Sequence, residues 1–224
     1  MINRIDWVDY AKGIGIVLVV YAHVLRGVNS AGLGLSKQFF YFSDTLVYGF
    51  HMPLFFFLSG MFSDKWVNKN TKETIIIKAK ALLYPYVIWS LLQGSINIML
   101  SSYTNKSMDW TNLIEISYKP IGQFWFLYVL FIFFMFYYFL RKIIGINKTL
   151  FVALICYILQ PAFKDLWILS AILSQFIFFV AGSFFVAHKT SLPFWSDNKV
   201  MHLAFSLVFF LLINYLYIFG NYKY

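Results

Sequence analysis

Apolar residues run along this chain in long blocks, and polar residues collect between the blocks. Strands of a barrel would instead alternate in short segments. A helix that crosses a bilayer needs ~20 mostly apolar residues. By that measure seven segments qualify, at roughly 8–26, 44–62, 81–101, 121–140, 148–163, 166–187 and 200–219. The fifth is the shortest and stops at Gln160-Pro161. Pro53 and Pro85 fall in or near the second and third segments and predict kinks there. The pattern predicts an all-α polytopic transmembrane helix bundle of about seven spans, forming a single membrane-embedded domain over residues 1–224. Asp6 and Asp9 precede the first apolar stretch and no small-residue cleavage site follows it. Residues 13–25 therefore read as the core of a retained first span.

Composition supports this. Of 224 residues, 61% are hydrophobic and 12% charged, too little polar surface for a water-soluble enzyme. The same figures exclude a disordered chain and a collagen-like fibre. The net charge of +9 is distributed as a bilayer protein requires, and no nucleic-acid partner is needed to account for it. With seven spans, one side carries Arg4, Lys12, the loop lysines 65, 69, 72, 78 and 80, Arg141, Lys142, Lys148, Lys189 and Lys199. The other carries Arg26, Lys37, Lys106, Lys119, Lys164 and Lys223. The imbalance predicts a cytoplasmic N-terminus. Trp7, Trp66, Trp110, Trp167 and Trp195 lie near span ends, as in an interfacial belt. Trp89 and Trp125 do not, and are expected at helix contacts or lining a cavity. The single cysteine, Cys156, excludes an internal disulfide and a thiolate metal cluster.

Ionisable groups inside apolar helices are expensive and mark functional sites. The first span holds three: Asp9, Lys12 and His23. Lys12 and His23 are eleven residues apart. That spacing is about 20° past three turns, so both face one side, about 16 Å apart along the axis. Asp9 and Lys12 are i, i+3 neighbours that can pair. Gly13 and Gly15 permit close approach of a helix or ligand. The same residues also fit a plainer role, with Asp9 and Lys12 reaching the interface and His23 bonded to a neighbouring helix. His51 is a second imidazole within a span, beside Pro53. Ser59-Gly60 fits a close-packing pair, a hydroxyl site or the end of the span. Gln123 is a possible polar contact at the start of the fourth span. The Lys65–Lys80 stretch fits topology and anionic headgroups, or an electropositive mouth for a phosphorylated donor. No zinc motif or metal-spaced His/Asp/Glu cluster is present, and His188 and His202 have no assigned role.

Three segments together resemble the acyltransferase-3 family of integral membrane O-acyltransferases, in the branch that acetylates sugars of bacterial surface polysaccharides. Asp9-x-x-Lys12-Gly13 through Val19-Val20-x-x-His23 is similar to the family's first-span signature, ten residues separating a basic residue from a histidine. Lys12 stands where many members have Arg. His51-Met-Pro-Leu-Phe-Phe-Phe-Leu-Ser-Gly60 resembles the second signature, and Phe124-Trp125-Phe126-Leu127 a later Trp-Phe-Leu element. The resemblance runs from about residue 4 to about residue 187.

It implies a multi-pass protein of the bacterial inner membrane. Acetyl-CoA would be the donor, presented from the cytoplasm without a metal. The acceptor would be a sugar hydroxyl of a cell-envelope polysaccharide or lipid-linked glycan. His23 would act as general base or acetyl relay, and Lys12 with Asp9 would bind or orient the donor. His51 or a lysine would stabilise the oxyanion. Ser59 and Trp125 would join Lys12 in contacting the donor. Family members usually have about ten spans, so the expectation is a chain lacking the last of them. The competing expectations are an inactive truncated member and a polytopic transporter or flippase using the intramembrane His and Lys as a path.

Overall fold

Hydrocarbon offers the backbone no hydrogen-bond partners, so spanning segments satisfy it internally as helices. The structure, a computed structural model, describes residues 6–101 and 109–188. All regular structure among the described residues is helical: α1 (Asp6–Ser30), α2 (Lys37–Gly60), α3 (Thr71–Lys78), α4 (Tyr84–Met99), α5 (Trp110–Ile114), α6 (Trp125–Leu159) and α7 (Trp167–Ala187), with short 3₁₀ turns. Among the described residues five helical stretches are long and apolar enough to cross a membrane: Asp6–Ser30, Lys37–Trp66, Thr71–Met99, Trp110–Phe163 and Trp167–Ala187. The expected span at 200–219 lies outside the described residues.

Two compact units make up the chain. One gathers the described residues of Met1–Leu58 and Phe185–Tyr224; the other is Ser59–Phe184. In the first unit α1 buries Val8, Gly15, Ala22 and Leu25. The sevenfold spacing of the first three draws a narrow stripe of small residues along one side. Gly15 faces Phe55 so closely that a Cβ there would come within 2.8 Å of its Cζ. Ile14, Val17, Val20 and Val24 are each more than half exposed, as suits a helix whose other faces meet lipid. Phe57 of α2 meets Phe185 of the last turn of α7, ring centroids 5.9 Å apart.

The second unit is built on aromatic packing between α6 and α7. Phe133 lies 5.3 Å from Phe176 and 5.8 Å from Phe179, while Phe134 and Tyr137 also pack on Phe179. These positions recur at three and four residues on both helices, which puts them on facing stripes. The contacts climb in the same order: Trp125 meets Trp167, Phe133 meets Phe176, and Tyr137 meets Ser183. The first half of α6 therefore runs parallel to α7. A helix of 35 residues would extend about 52 Å, well beyond one hydrocarbon thickness. It breaks at Gly145, whose φ of 78° and ψ of 174° suit glycine. For Trp167 to return to the level of Trp125, the stretch after Gly145 must run back. The short segment at 148–163 is thus a separate returning element.

At Pro85, where the sequence predicts a kink, the helix is locally irregular. Pro85 has no N–H, and the turn before it widens into a π-helical stretch, Ala79–Leu83. The N–H of Tyr84 reaches back to the carbonyl of Ala79 there, and α4 continues. α2 likewise runs on through Pro53.

Gly60 ends α2 directly against the backbone carbonyl of Phe179, and an added Cβ would overlap that oxygen. Backbone cannot move aside as a side chain can. Gly60→Ala should lower stability by about 3 kcal/mol. Gly13→Ala, with no atom within 4 Å of the new methyl, should be neutral or stabilising by up to about 1 kcal/mol. Thermal unfolding in detergent separates the two; equal melting temperatures would contradict the packing described.

Candidate active site

Within the first unit, α2 carries Asp44, Tyr48 and His51 at i, i+4 and i+7, on one helical face. His51 is buried, at 2% exposure. Its Nδ1 lies 2.6 Å from the carbonyl oxygen of Val47, one turn back. A carbonyl only accepts, so Nδ1 carries the proton and donates. The neutral ring then presents Nε2 as an acceptor. Tyr48 packs edge-on against the imidazole, centroids 4.8 Å apart.

Arg26 of α1 closes the cluster. Its Nε and Nη2 donate to the two carboxylate oxygens of Asp44 at 2.5 and 2.8 Å, a two-pronged ion pair. The guanidinium carbon sits 3.2 Å from the centre of the Tyr48 ring. His23, one turn before Arg26 on α1, is exposed. Arg26 lies within electrostatic reach of His23, and His23, Arg26 and Asp44 all lie within reach of His51. Two imidazoles, a fixed cation and a carboxylate thus gather where α1 and α2 meet. One imidazole is buried and oriented; the other is accessible.

Of the residues singled out from sequence, His23 and His51 are brought together. Asp9 and Lys12 lie about three turns from His23 on the same continuous helix, Lys12 exposed and Asp9 half-buried, and each is engaged in an interaction. A groove of about 410 Å³ beside them is lined by Asp9, Tyr10, Gly13, Ile14, Val17 and Leu18. Ser59 is half-buried in the last turn of α2, where its carbonyl accepts from the N–H of Phe62. Trp125 opens α6 and packs edge-on against Trp167 at 6.0 Å. Both belong to the second unit. There Gln123 donates to the side-chain oxygen of Gln93 at 3.0 Å, beside Trp89 in a groove of about 610 Å³. No group of three His, Cys, Asp or Glu suited to a metal occurs among the described residues.

Arg26, Asp44 and Tyr48 were not anticipated from the sequence, where Arg26 entered only as a loop charge. The available signal was spacing: Arg26 follows His23 by one turn, and Asp44, Tyr48 and His51 share a stripe.

The acyltransferase domain model matches residues 5–224 of the chain. Nodulation protein NolL of Mesorhizobium japonicum is 33% identical over 134 residues, covering 59% of this chain and 35% of that protein. Nodulation protein NolL of Sinorhizobium fredii is 31% identical over 130 residues, covering 56% and 34%. The match thus spans about a third of the length of these curated relatives. No solved structure matches the chain.

The ion pair makes a direct prediction. Removing one partner leaves the other charge stranded beside lipid; removing both leaves none. Arg26→Met and Asp44→Leu should each cost about 2 kcal/mol, while the double variant should recover most of that loss. Melting temperatures of the four proteins in one detergent close the cycle. Additive losses would mean that the pair is not coupled.

Proposed function

Because the chain belongs to the acyltransferase-3 family, we propose that it is a membrane O-acetyltransferase of the bacterial inner membrane, moving an acetyl group from cytoplasmic acetyl-CoA to a sugar hydroxyl of a cell-envelope polysaccharide or lipid-linked glycan. The observation that carries the reading is the accessible His23 beside the Arg26–Asp44 pair and the oriented His51. Acyl transfer to an alcohol needs a base for the hydroxyl proton and a positive charge for the carbonyl oxygen as it becomes an oxyanion.

His23 takes the hydroxyl proton in this reading. The sugar oxygen forms its bond to the acetyl carbon, the carbon–sulfur bond breaks, and the proton held on His23 passes to the leaving thiolate. A variant route has His23 carry the acetyl group itself before the sugar receives it. Arg26 supplies the permanent positive charge, one turn away. His51 was the sequence-based candidate for that task. With Nδ1–H committed to Val47, its neutral ring offers only an acceptor, so donation to an oxyanion requires a second proton. His51 is therefore proposed as an orienting acceptor behind the reacting pair.

Lys12 and Asp9 would hold the donor's polar portion near the cytoplasmic end of α1. The about 16 Å between Lys12 and His23 suits a donor with a long flexible arm ending in a thioester. The groove along Asp9, Gly13 and Val17 leaves room beside that path. Ser59 and Trp125 lie in the second unit and are given no step.

His23→Ala should abolish O-acetylation of the surface glycan, a loss on the order of 10²–10⁴-fold, with membrane insertion unchanged. The measurement is NMR of purified polysaccharide from a host lacking its own enzyme and expressing either protein. Acetylation that persists in His23→Ala would remove His23 from the chemistry. Arg26→Lys keeps the charge but not the two-pronged geometry, and should retain more activity than Arg26→Gln. Equal activities would remove the oxyanion role.

A further inference from the structure

The second unit holds a cluster that the chemistry above does not use. Three lysines converge on one indole. The Nζ atoms of Lys78 and Lys69 lie 4.4 and 4.6 Å from the centre of the Trp66 ring, and that of Lys65 lies 5.9 Å from it. Lys78 also sits 3.5 Å over Phe134, and Lys65 is 5.5 Å from Phe62. Like charges gathered in this way repel each other. Aromatic faces offset part of that repulsion.

No carboxylate among the described residues forms an ion pair with any of the three. The nearest in sequence, Asp64, is committed elsewhere. Its Oδ1 accepts from Arg141 Nε at 3.0 Å and from the Tyr137 hydroxyl at 2.9 Å. Asp64 is thus committed, and Glu73, the other carboxylate of this stretch, forms no ion pair with the three, so the ammonium groups keep a net positive field.

Their arrangement is also held in place. Tyr138 of α6 donates to the carbonyl of Lys69 at 3.0 Å, accepts from Lys142 Nζ at 2.6 Å and bonds the Thr71 hydroxyl at 2.8 Å. Asn70 caps α3, accepting from the N–H groups of Lys72 and Glu73. The backbone bearing Lys65 and Lys69 is therefore pinned to α6 at both ends, and Lys78 projects from the helix that follows. An isolated topology signal requires only lysines in a loop. Here tyrosine and carboxylate tethers also fix the backbone that carries Lys65 and Lys69. The Trp66 indole N–H is buried without an acceptor, so hydrogen bonding does not account for the ring's position. The ring does contact the three ammonium groups.

From this geometry we propose that Lys65, Lys69 and Lys78, gathered on Trp66, form a preorganised binding site for a phosphate group. Each ammonium carries three donors, and one ring face cannot occupy them all. A tetrahedral oxyanion with several acceptor oxygens meets three ammonium groups at once and relieves their mutual repulsion. A phosphate of this kind has two sources, a soluble phosphorylated ligand or a phospholipid headgroup. The site itself stands apart from the acetyl-transfer reading; only assigning the soluble source to the acyl donor rests on it.

The test uses the full chain purified in neutral detergent. One arm titrates inorganic pyrophosphate by calorimetry. The other measures how much phosphatidylglycerol the protein retains from mixed micelles with phosphatidylcholine. The variants are Lys69→Gln/Lys78→Gln and the milder Lys65→Gln at an exposed position, with Lys119→Gln, a charge paired with Glu115, as control. The double variant should weaken the relevant ligand by at least about tenfold and Lys65→Gln by about threefold, with the control unchanged. Loss in the pyrophosphate arm identifies a soluble phosphorylated ligand. Loss confined to the lipid arm identifies a headgroup. If the double variant fails to fold, Lys65→Gln alone decides. Binding absent from the parent protein in both arms, or unchanged by these substitutions, overturns the site. Neither arm measures acetyl transfer, so failure here leaves that reading in place, and loss of transfer in His23→Ala leaves this site untouched.

Discussion

The Arg26–Asp44 pair is the interaction on which the first unit depends. Hydrocarbon provides no water to screen a guanidinium and no counterion to neutralise it. At the edge of its span Arg26 finds its carboxylate within the protein, and that pairing restricts the rotation and register of α1 against α2. That register then fixes everything nearby. Tyr48 comes under the guanidinium, His51 comes edge-on to Tyr48, and His23 is placed one turn from Arg26. The small residues Gly15 and Ala22 allow the close approach that the pair requires. Structural pairing and chemical arrangement are consequences of the same constraint.

The second unit meets the same solvent with different means. Its interior is aromatic rings stacked between parallel helices, where close contact and not hydrophobic expulsion supplies the attraction. At one end of the unit a set of polar groups is tied together. Tyr137, Tyr138 and Arg141 reach from α6 to the 64–71 segment through Asp64, Lys69 and Thr71. The residues 64–80 and 141–142, which charge counting puts on one side of the membrane, do meet at one end of this unit. Electrostatic bias in the sequence and hydrogen bonding in the fold agree on that placement.

Much of this was open to reading along the chain. The runs at 8–26, 44–62 and 166–187 announce helices because their apolar length exceeds what any other element needs. The run at 148–163, the shortest of the seven, is a distinct returning element. Gly145 reverses the chain before it, which no periodicity could reveal. His23 and His51 were visible as costly residues in apolar surroundings. Arg26, at the edge of its span, passed for an ordinary loop charge because nothing local showed that Asp44 would be its partner.

What the sequence by itself determined is the class of the molecule: helical, membrane-crossing, with ionisable groups in its first two spans and basic residues collected between others. Those follow from solvent. A bilayer imposes length, apolarity and internal backbone bonding on each segment separately, so each segment can be read alone. The tertiary structure alone decided the partner of Arg26, the aromatic meeting of α6 with α7 and the tethering of residues 64–71 to Tyr137, Tyr138 and Arg141. These depend on the rotation and register of one helix against another. They are set by contacts between residues far apart in the chain, and no local pattern encodes them.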